Sequence, residues 1–179
     1  MSCRFSAGFR CVHAGLSISA MVVAVAVLAA CSPQVEQPSA AAGGPDETAD
    51  LEAIGALVEQ VNQADMSGDV EGLLAHHTDD VVSMPPGLPA MVGKESLRAY
   101  YLEAFAQLSI ERLEMTPEET RLAGDWAFSW GRFEETVVPV GGNAFDVVGK
   151  YLFIFHREAD GSWKIARMIG NLDGPQPGL

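Results

Sequence analysis

Trp126-Ala127-Phe128-Ser129-Trp130-Gly131-Arg132-Phe133-Glu134-Glu135-Thr136-Val137-Val138 changes side-chain character with a period of two, which predicts one long β-strand. The same period continues through most of the chain after Ser109. Ile110, Leu113 and Met115 open the series, and residues 120–122 lead into the turn Ala123-Gly124-Asp125. Gly141-Gly142-Asn143 makes a tight connection, residues 147–157 return, Ala159-Asp160-Gly161-Ser162 turns, and residues 163–169 close the sheet. Before Ser109 the period is helical. Leu51, Ile54, Leu57, Val58 and Val61 form the apolar face of a first helix, with Asp46, Thr48 and Asp50 available as caps. Ser67-Gly68-Asp69 breaks it, and Asp69 caps a second, short helix carrying Val70, Leu73 and Leu74. Val81-Val82-Ser83-Met84 reads as a brief strand ended by Pro85-Pro86-Gly87, and Gly93 precedes a third helix with Leu97, Tyr100, Tyr101, Phe105 and Leu108 on one side. Helices followed by an antiparallel meander predict an α+β fold, with three N-terminal helices covering one face of a curved sheet.

The beginning of the chain follows a different logic. Arg4 and Arg10 precede an apolar run over residues 16–30, too short to span a bilayer comfortably and ordered like a secretory signal. Leu28-Ala29-Ala30-Cys31 at its end resembles the lipobox of a bacterial lipoprotein. That resemblance implies cleavage before Cys31, lipidation of Cys31, and firm membrane attachment through several acyl chains. Ser32 resembles the residue that follows the anchor in lipoproteins sorted to the outer membrane, so the expected location is the cell envelope, on the outer membrane facing the periplasm. Residues 31–50, rich in Ser, Pro, Ala, Gly and acids, read as the lipidated cysteine and a tether. A single domain is expected over 51–173, with a tail over 174–179.

Cys3 and Cys11 lie in the signal, so the mature chain has neither a disulfide framework nor a cysteine metal site. Loss of Arg4 and Arg10 takes the formal charge from −13 to −15. Such a surface repels nucleic acid and anionic headgroups, and no nucleic-acid partner is expected. His76 and His77 are adjacent, point about 100° apart on a helix, and have no third ligand at a familiar offset, so no metal site is expected. Asp79 and Asp80 are expected to organise a turn. The absence of GxSxG and glycine-rich phosphate motifs leaves no cofactor to predict.

Taken in order, Ser67-Gly68-Asp69, residues 78–87, Gly93-Lys94-Glu95, Gly149-Lys150-Tyr151 and residues 160–167 resemble the ketosteroid-isomerase-like, or SnoaL-like, family of the nuclear transport factor two-like superfamily. The resemblance covers residues 51–173. It implies a cone, in which three helices close a strongly bent sheet over an apolar pocket, and it implies no single reaction. Steroid isomerases of this family need an aspartate base and a phenol in the oxyanion hole. Their places fall here on Pro85 and Val61, which can do neither task, while Tyr151 stands near the second oxyanion donor. Isomerase activity of that kind is not expected.

Strand parity then nominates the pocket wall. If the aromatic side of residues 126–138 faces inward, Trp130, Arg132 and Glu134 share it, joined by Tyr151 of the next strand. A bulge near Gly131 would reverse that parity. Both charged side chains in bulk solvent would remove the whole pocket hypothesis and leave assembly as the better reading. Tyr100 and Met84 are further candidates, with Met168 added by analogy to the family. Three functions follow from the residues and the resemblance: binding of a small apolar or amphipathic molecule, an enzyme using Tyr151 with Arg132 or Glu134, and a homodimeric assembly module without a ligand. An acid or base of shifted pKa in a desolvated pocket favours the enzyme.

Overall fold

The computed structural model describes residues 45–174, and the expected signal, Cys31 and the tail from 175 onward lie outside the described residues. Helix α1 (Pro45–Ser67) opens on a proline, whose missing N–H costs nothing in a first turn. It therefore starts within the stretch assigned from composition to the tether, ahead of Leu51. Asp46, Thr48 and Asp50 fall within the helix and not ahead of it. Asp50 instead accepts a hydrogen bond from Trp163 Nε1 at 3.1 Å and pairs with Arg157, tying the helix to the last two strands. The helix ends at Gly68, whose φ of 68° suits glycine, and the N–H of Asp69 reaches back to the Ala64 carbonyl at 2.9 Å. Asp69 then caps α2 (Val70–Ala75), accepting from the Gly72 N–H at 3.0 Å.

Strand β1 (His77–Met84) begins earlier than its apolar run suggests. Asp79 and Asp80 thus sit on a strand, not in a turn, and pair with Lys94 at 3.0 Å and Arg167 at 3.2 Å. A short β2 (Met91–Val92) precedes α3 (Lys94–Gln107), which leads directly into β3 (Leu108–Ala123). The remaining strands are β4 (Trp126–Pro139), β5 (Phe145–Arg157) and β6 (Trp163–Leu172). They form one sheet in the order β2-β1-β6-β5-β4-β3. Its pairings are antiparallel except β1 with β6, because β1 precedes the meander and docks on its last strand. The α+β class and the curved sheet under three helices are as expected. Among the described residues, no helix is long and apolar enough to cross a membrane.

The core lies between the helices and the concave face. Ile54, Leu57 and Val61 of α1, Leu73 and Leu74 of α2 and Leu97 of α3 are buried with Val81, Phe155, Trp163 and Ile165. Each such side chain contributes about 1.5–3 kcal/mol by leaving water.

The parity of β4 is the reverse of the expectation. Ala127, Ser129, Gly131, Phe133, Glu135 and Val137 face the concave side, whereas Trp126, Phe128 and Trp130 remain 45%, 37% and 42% exposed on the other. The neighbouring strand explains this. Phe155, Phe153 and Tyr151 fill the concave side of β5, and their partners across the ladder are Ala127, Ser129 and Gly131. Large rings on one strand leave room only for small residues on the next. A bulge is indeed found near Gly131, but on β3, between Pro117 and Glu119, so the parity of β4 itself never switches. A Cβ at Gly131 would come within 2.2 Å of the Thr116 carbonyl oxygen, which reserves the position for glycine.

Candidate functional site

The apolar face of α1 continues one turn past Val61 to Asp65, which puts a carboxylate where the helical spacing calls for another hydrophobe. Opposite it, Glu135 follows Phe133 on the inward parity of β4. Between them lies an open cavity of about 260 Å³. Tyr100, Tyr101 and Phe105 of α3 form one wall, and Phe133, Tyr151 and Phe153 of the sheet form another. Met84 and Pro85 at the end of β1 and Met168 of β6 complete the floor and rim. The volume is just below the usual range for small-molecule sites, and aromatic lining with a few polar groups is their usual composition.

The expected site is therefore partly assembled and partly dispersed. Tyr100, Tyr151, Met84 and Met168 meet at the cavity. Trp130, Arg132 and Glu134 do not, being carried to the convex face by the parity of β4. There Trp130 Nε1 donates to Glu119 at 3.0 Å, Arg132 pairs with Glu118 at 2.9 Å, and Glu134 lies 3.7 Å from Arg112. These groups are mostly in solvent, where such pairs contribute little. Arg132 and Glu134 both lie in solvent, the outcome that removes the expected pocket and favours assembly, and the pocket reading survives only through a different cavity on the concave face. Pro85, expected in the place of the isomerase base, does line it, while Val61 is packed in the core at 8% exposure.

Asp65 and Glu135 are the residues that sequence reading missed. The signal for Asp65 was present as an acid four residues beyond Val61 on an apolar face. The signal for Glu135 depended on the parity that was assigned to Glu134. Withdrawal from water, and then the charge of Glu135, push the Asp65 carboxyl up to about 7. Withdrawal from water also raises Glu135. Burial raises the Tyr100 phenol, with the two carboxylates adding to the effect. Tyr151 is raised by burial and partly relieved by a hydrogen bond with Ser129, whose hydroxyl accepts from Thr120 at 3.1 Å. Asp65 is thus divided between its acid and base forms near neutral pH, the condition in which a carboxyl exchanges protons most readily.

A second cavity of about 390 Å³ lies between α1 and the sheet, and Met115 and Tyr151 line it as well as the first. Asn62 belongs to its wall and is buried, with Oδ1 lacking a hydrogen-bond partner. His77 is fully enclosed elsewhere in the core. Its Nδ1–H donates to the Leu73 carbonyl at 2.7 Å, and burial holds its pKa down to about 4. No group of three or more metal-ligating side chains is gathered among the described residues.

Comparison with known proteins agrees with this architecture. The model of the SnoaL-like domain matches residues 56–168. A ketosteroid isomerase-like protein from Erwinia carotovora atroseptica SCRI1043 is 30% identical in solved structure, with a TM-score of 0.65 over 70% of this chain and 98% of that one. A conserved protein from Planctomyces limnophilus DSM 3776 is 28% identical, with a TM-score of 0.64 over 70% and 98%. An NTF2-like protein from Cytophaga hutchinsonii ATCC 33406, at 20% identity and a TM-score of 0.59 over 68% and 97%, shares the fold. No curated protein matches the sequence. With helices, curved sheet, concave cavity and family model in agreement, the chain belongs to the SnoaL-like family.

Proposed function

We propose that this domain binds a compact, mainly apolar molecule in the concave cavity and that Asp65 and Glu135 engage the ligand's polar group, with Asp65 able to give or take a proton. The observation that carries this reading is the pair of carboxyls in a cavity otherwise lined by Tyr100, Phe105, Phe133, Phe153 and Met168. Half-burying two carboxyls with no base beside them among the described residues is costly to a fold, and sites that bind or react are where such a cost recurs. The acid–base role falls to Asp65 in place of Arg132 or Glu134. Steroid isomerisation stays outside the proposal because Pro85 and Val61 occupy the places of its base and phenol.

Titration with an environment-sensitive apolar dye tests the reading. The domain should bind the dye with saturation, small aromatic compounds should displace it, and Ala104→Trp, which fills the cavity from α3, should abolish that displaceable binding while the fold persists. Unchanged displaceable binding in Ala104→Trp would refute it.

A second reading concerns the convex face, where Trp126, Phe128 and Trp130 form an exposed aromatic row. Such a row favours self-association, and we propose that two copies pair through it. The same proposal includes attachment through a lipidated Cys31 to the outer membrane, on the periplasmic side. Support for the anchor comes from Leu28-Ala29-Ala30-Cys31. Mass spectrometry of the native amino terminus tests it, and an unmodified Cys31 overturns it.

A further inference from the structure

We infer that the polar group taken by this cavity is a protonated amine. The inference rests on the reading of the cavity as a ligand site. Among the described residues, its titratable lining is Asp65, Glu135, Tyr100, Tyr101 and Tyr151, and no Lys, Arg or His lines it. No basic side chain among the described residues relieves either carboxyl. Withdrawal from water is the leading influence on both, and the second influence on Asp65 is the repulsion from Glu135. This sets them apart from the carboxylates Asp50, Asp79, Asp80 and Glu119, each of which lies against Arg or Lys.

An anionic ligand placed here would face two carboxylates with no positive charge to offset them. A neutral hydroxyl or carbonyl compound would take one hydrogen bond and leave the repulsion within the pair untouched. Asp65 relieves it by taking a proton near neutral pH, whereas a cation offsets both charges and lets the pair stay ionised. The rest of the lining suits the same class, since Tyr100 and Tyr101, with ring centroids 5.5 Å apart, and Tyr101 stacked on Phe105 at 5.9 Å offer π-faces beside the acids. Aromatic faces in a desolvated site attract ammonium groups. The small volume restricts the amine to a compact apolar body, such as one ring on a short chain.

A proton balance follows. Below pH 7 Asp65 is mainly protonated, and an arriving ammonium drives that proton off to solvent, leaving carboxylate against cation. Binding therefore releases about one proton at pH 6 and a small fraction at pH 8.

Isothermal titration calorimetry of the full-length chain in mild detergent tests this with three probes of one size: 2-phenylethylammonium, its neutral isostere 2-phenylethanol, and phenylacetate. At pH 8 the ammonium should bind about tenfold more tightly than the alcohol, and phenylacetate should give no detectable heat. At pH 6 the apparent enthalpy for the ammonium should change between buffers of different ionisation enthalpy as release of about one proton requires. Glu135→Gln should erase most of the ammonium preference and leave alcohol binding in place. Alcohol binding equal to or tighter than ammonium binding, or ammonium binding without proton release at pH 6, overturns the inference while the ligand reading stands. If none of the three binds, both fall together.

Discussion

Asp65 of α1 and Glu135 of β4 face one cavity, and the charge of Glu135 adds to the desolvation that lifts the Asp65 carboxyl to about 7. The fold binds this proton more tightly than the unfolded chain, whose aspartates titrate near 3.8. The contribution of Asp65 to stability is therefore most favourable at low pH and is lost as pH rises toward and through 7.

A substitution at Asp65 should separate stability from function. Asp65→Asn is expected to stabilise the domain by about 1 kcal/mol at pH 8, a rise of a few degrees in melting temperature, with little effect at pH 4. The same variant should lose ligand binding. Melting curves at the two pH values check the first statement, and an Asn variant less stable than wild type at pH 8 would contradict it.

His77 should act in the opposite sense. Its pKa of about 4 lies below the usual 6.5, so the unfolded chain takes up a proton first and stability falls as pH drops from 6.5 toward 4. The full penalty is about 2–3 kcal/mol for so enclosed a group. Asp65 gains stability over part of the same range and masks some of this loss. The comparison is therefore between wild type and His77→Leu, by denaturant unfolding at pH 7 and pH 4.5. His77→Leu forfeits the hydrogen bond to Leu73 at both pH values, but it should show the smaller acid-dependent loss.

The two faces of β4 should be functionally distinct. The double variant Trp130→Ala, Arg132→Ala alters only convex side chains and should leave ligand affinity within about twofold, because neither residue reaches the cavity and exposed pairs are weak. Phe133→Ala removes a cavity wall and should weaken binding about tenfold or more. Calorimetry on both checks the assignment, and sedimentation of the convex variant reports on self-association.

Asp50 holds α1 to β6 through Trp163 and to the end of β5 through Arg157, with the guanidinium 4.6 Å over the Trp163 ring. The bond to Arg157 is the main influence holding the Asp50 carboxyl low. Asp50→Ala should cost about 1–3 kcal/mol by leaving Trp163 Nε1 and Arg157 without their acceptor. A loss under a few tenths of a kcal/mol in chemical denaturation would show the tie to be incidental.

Much of this architecture was legible from local chemistry. Ser67-Gly68-Asp69 combines a left-handed glycine with a capping aspartate, and both roles are realised. Tyr151, Phe153 and Phe155 alternate onto the concave face as their spacing requires. The parity of β4 was not legible, because it depends on which neighbour needs the space. Apolar weight alone sends Trp126, Phe128 and Trp130 inward, yet the rings already supplied by β5 leave room only for Ala127, Ser129 and Gly131. The same reversal exchanged Glu134 for Glu135. Asp65 escaped notice for a related reason: its significance lies in the cavity it faces, which is assembled by α3 and β4 from far along the chain.

Carbon-detected NMR titration of the Asp65 side-chain carboxyl tests the central claim most directly. The account predicts a midpoint near 7 that falls in Glu135→Gln, where the repelling charge is gone, and falls further when a cationic ligand fills the cavity. A midpoint near 4 in the wild-type protein, unmoved by Glu135→Gln, would contradict it.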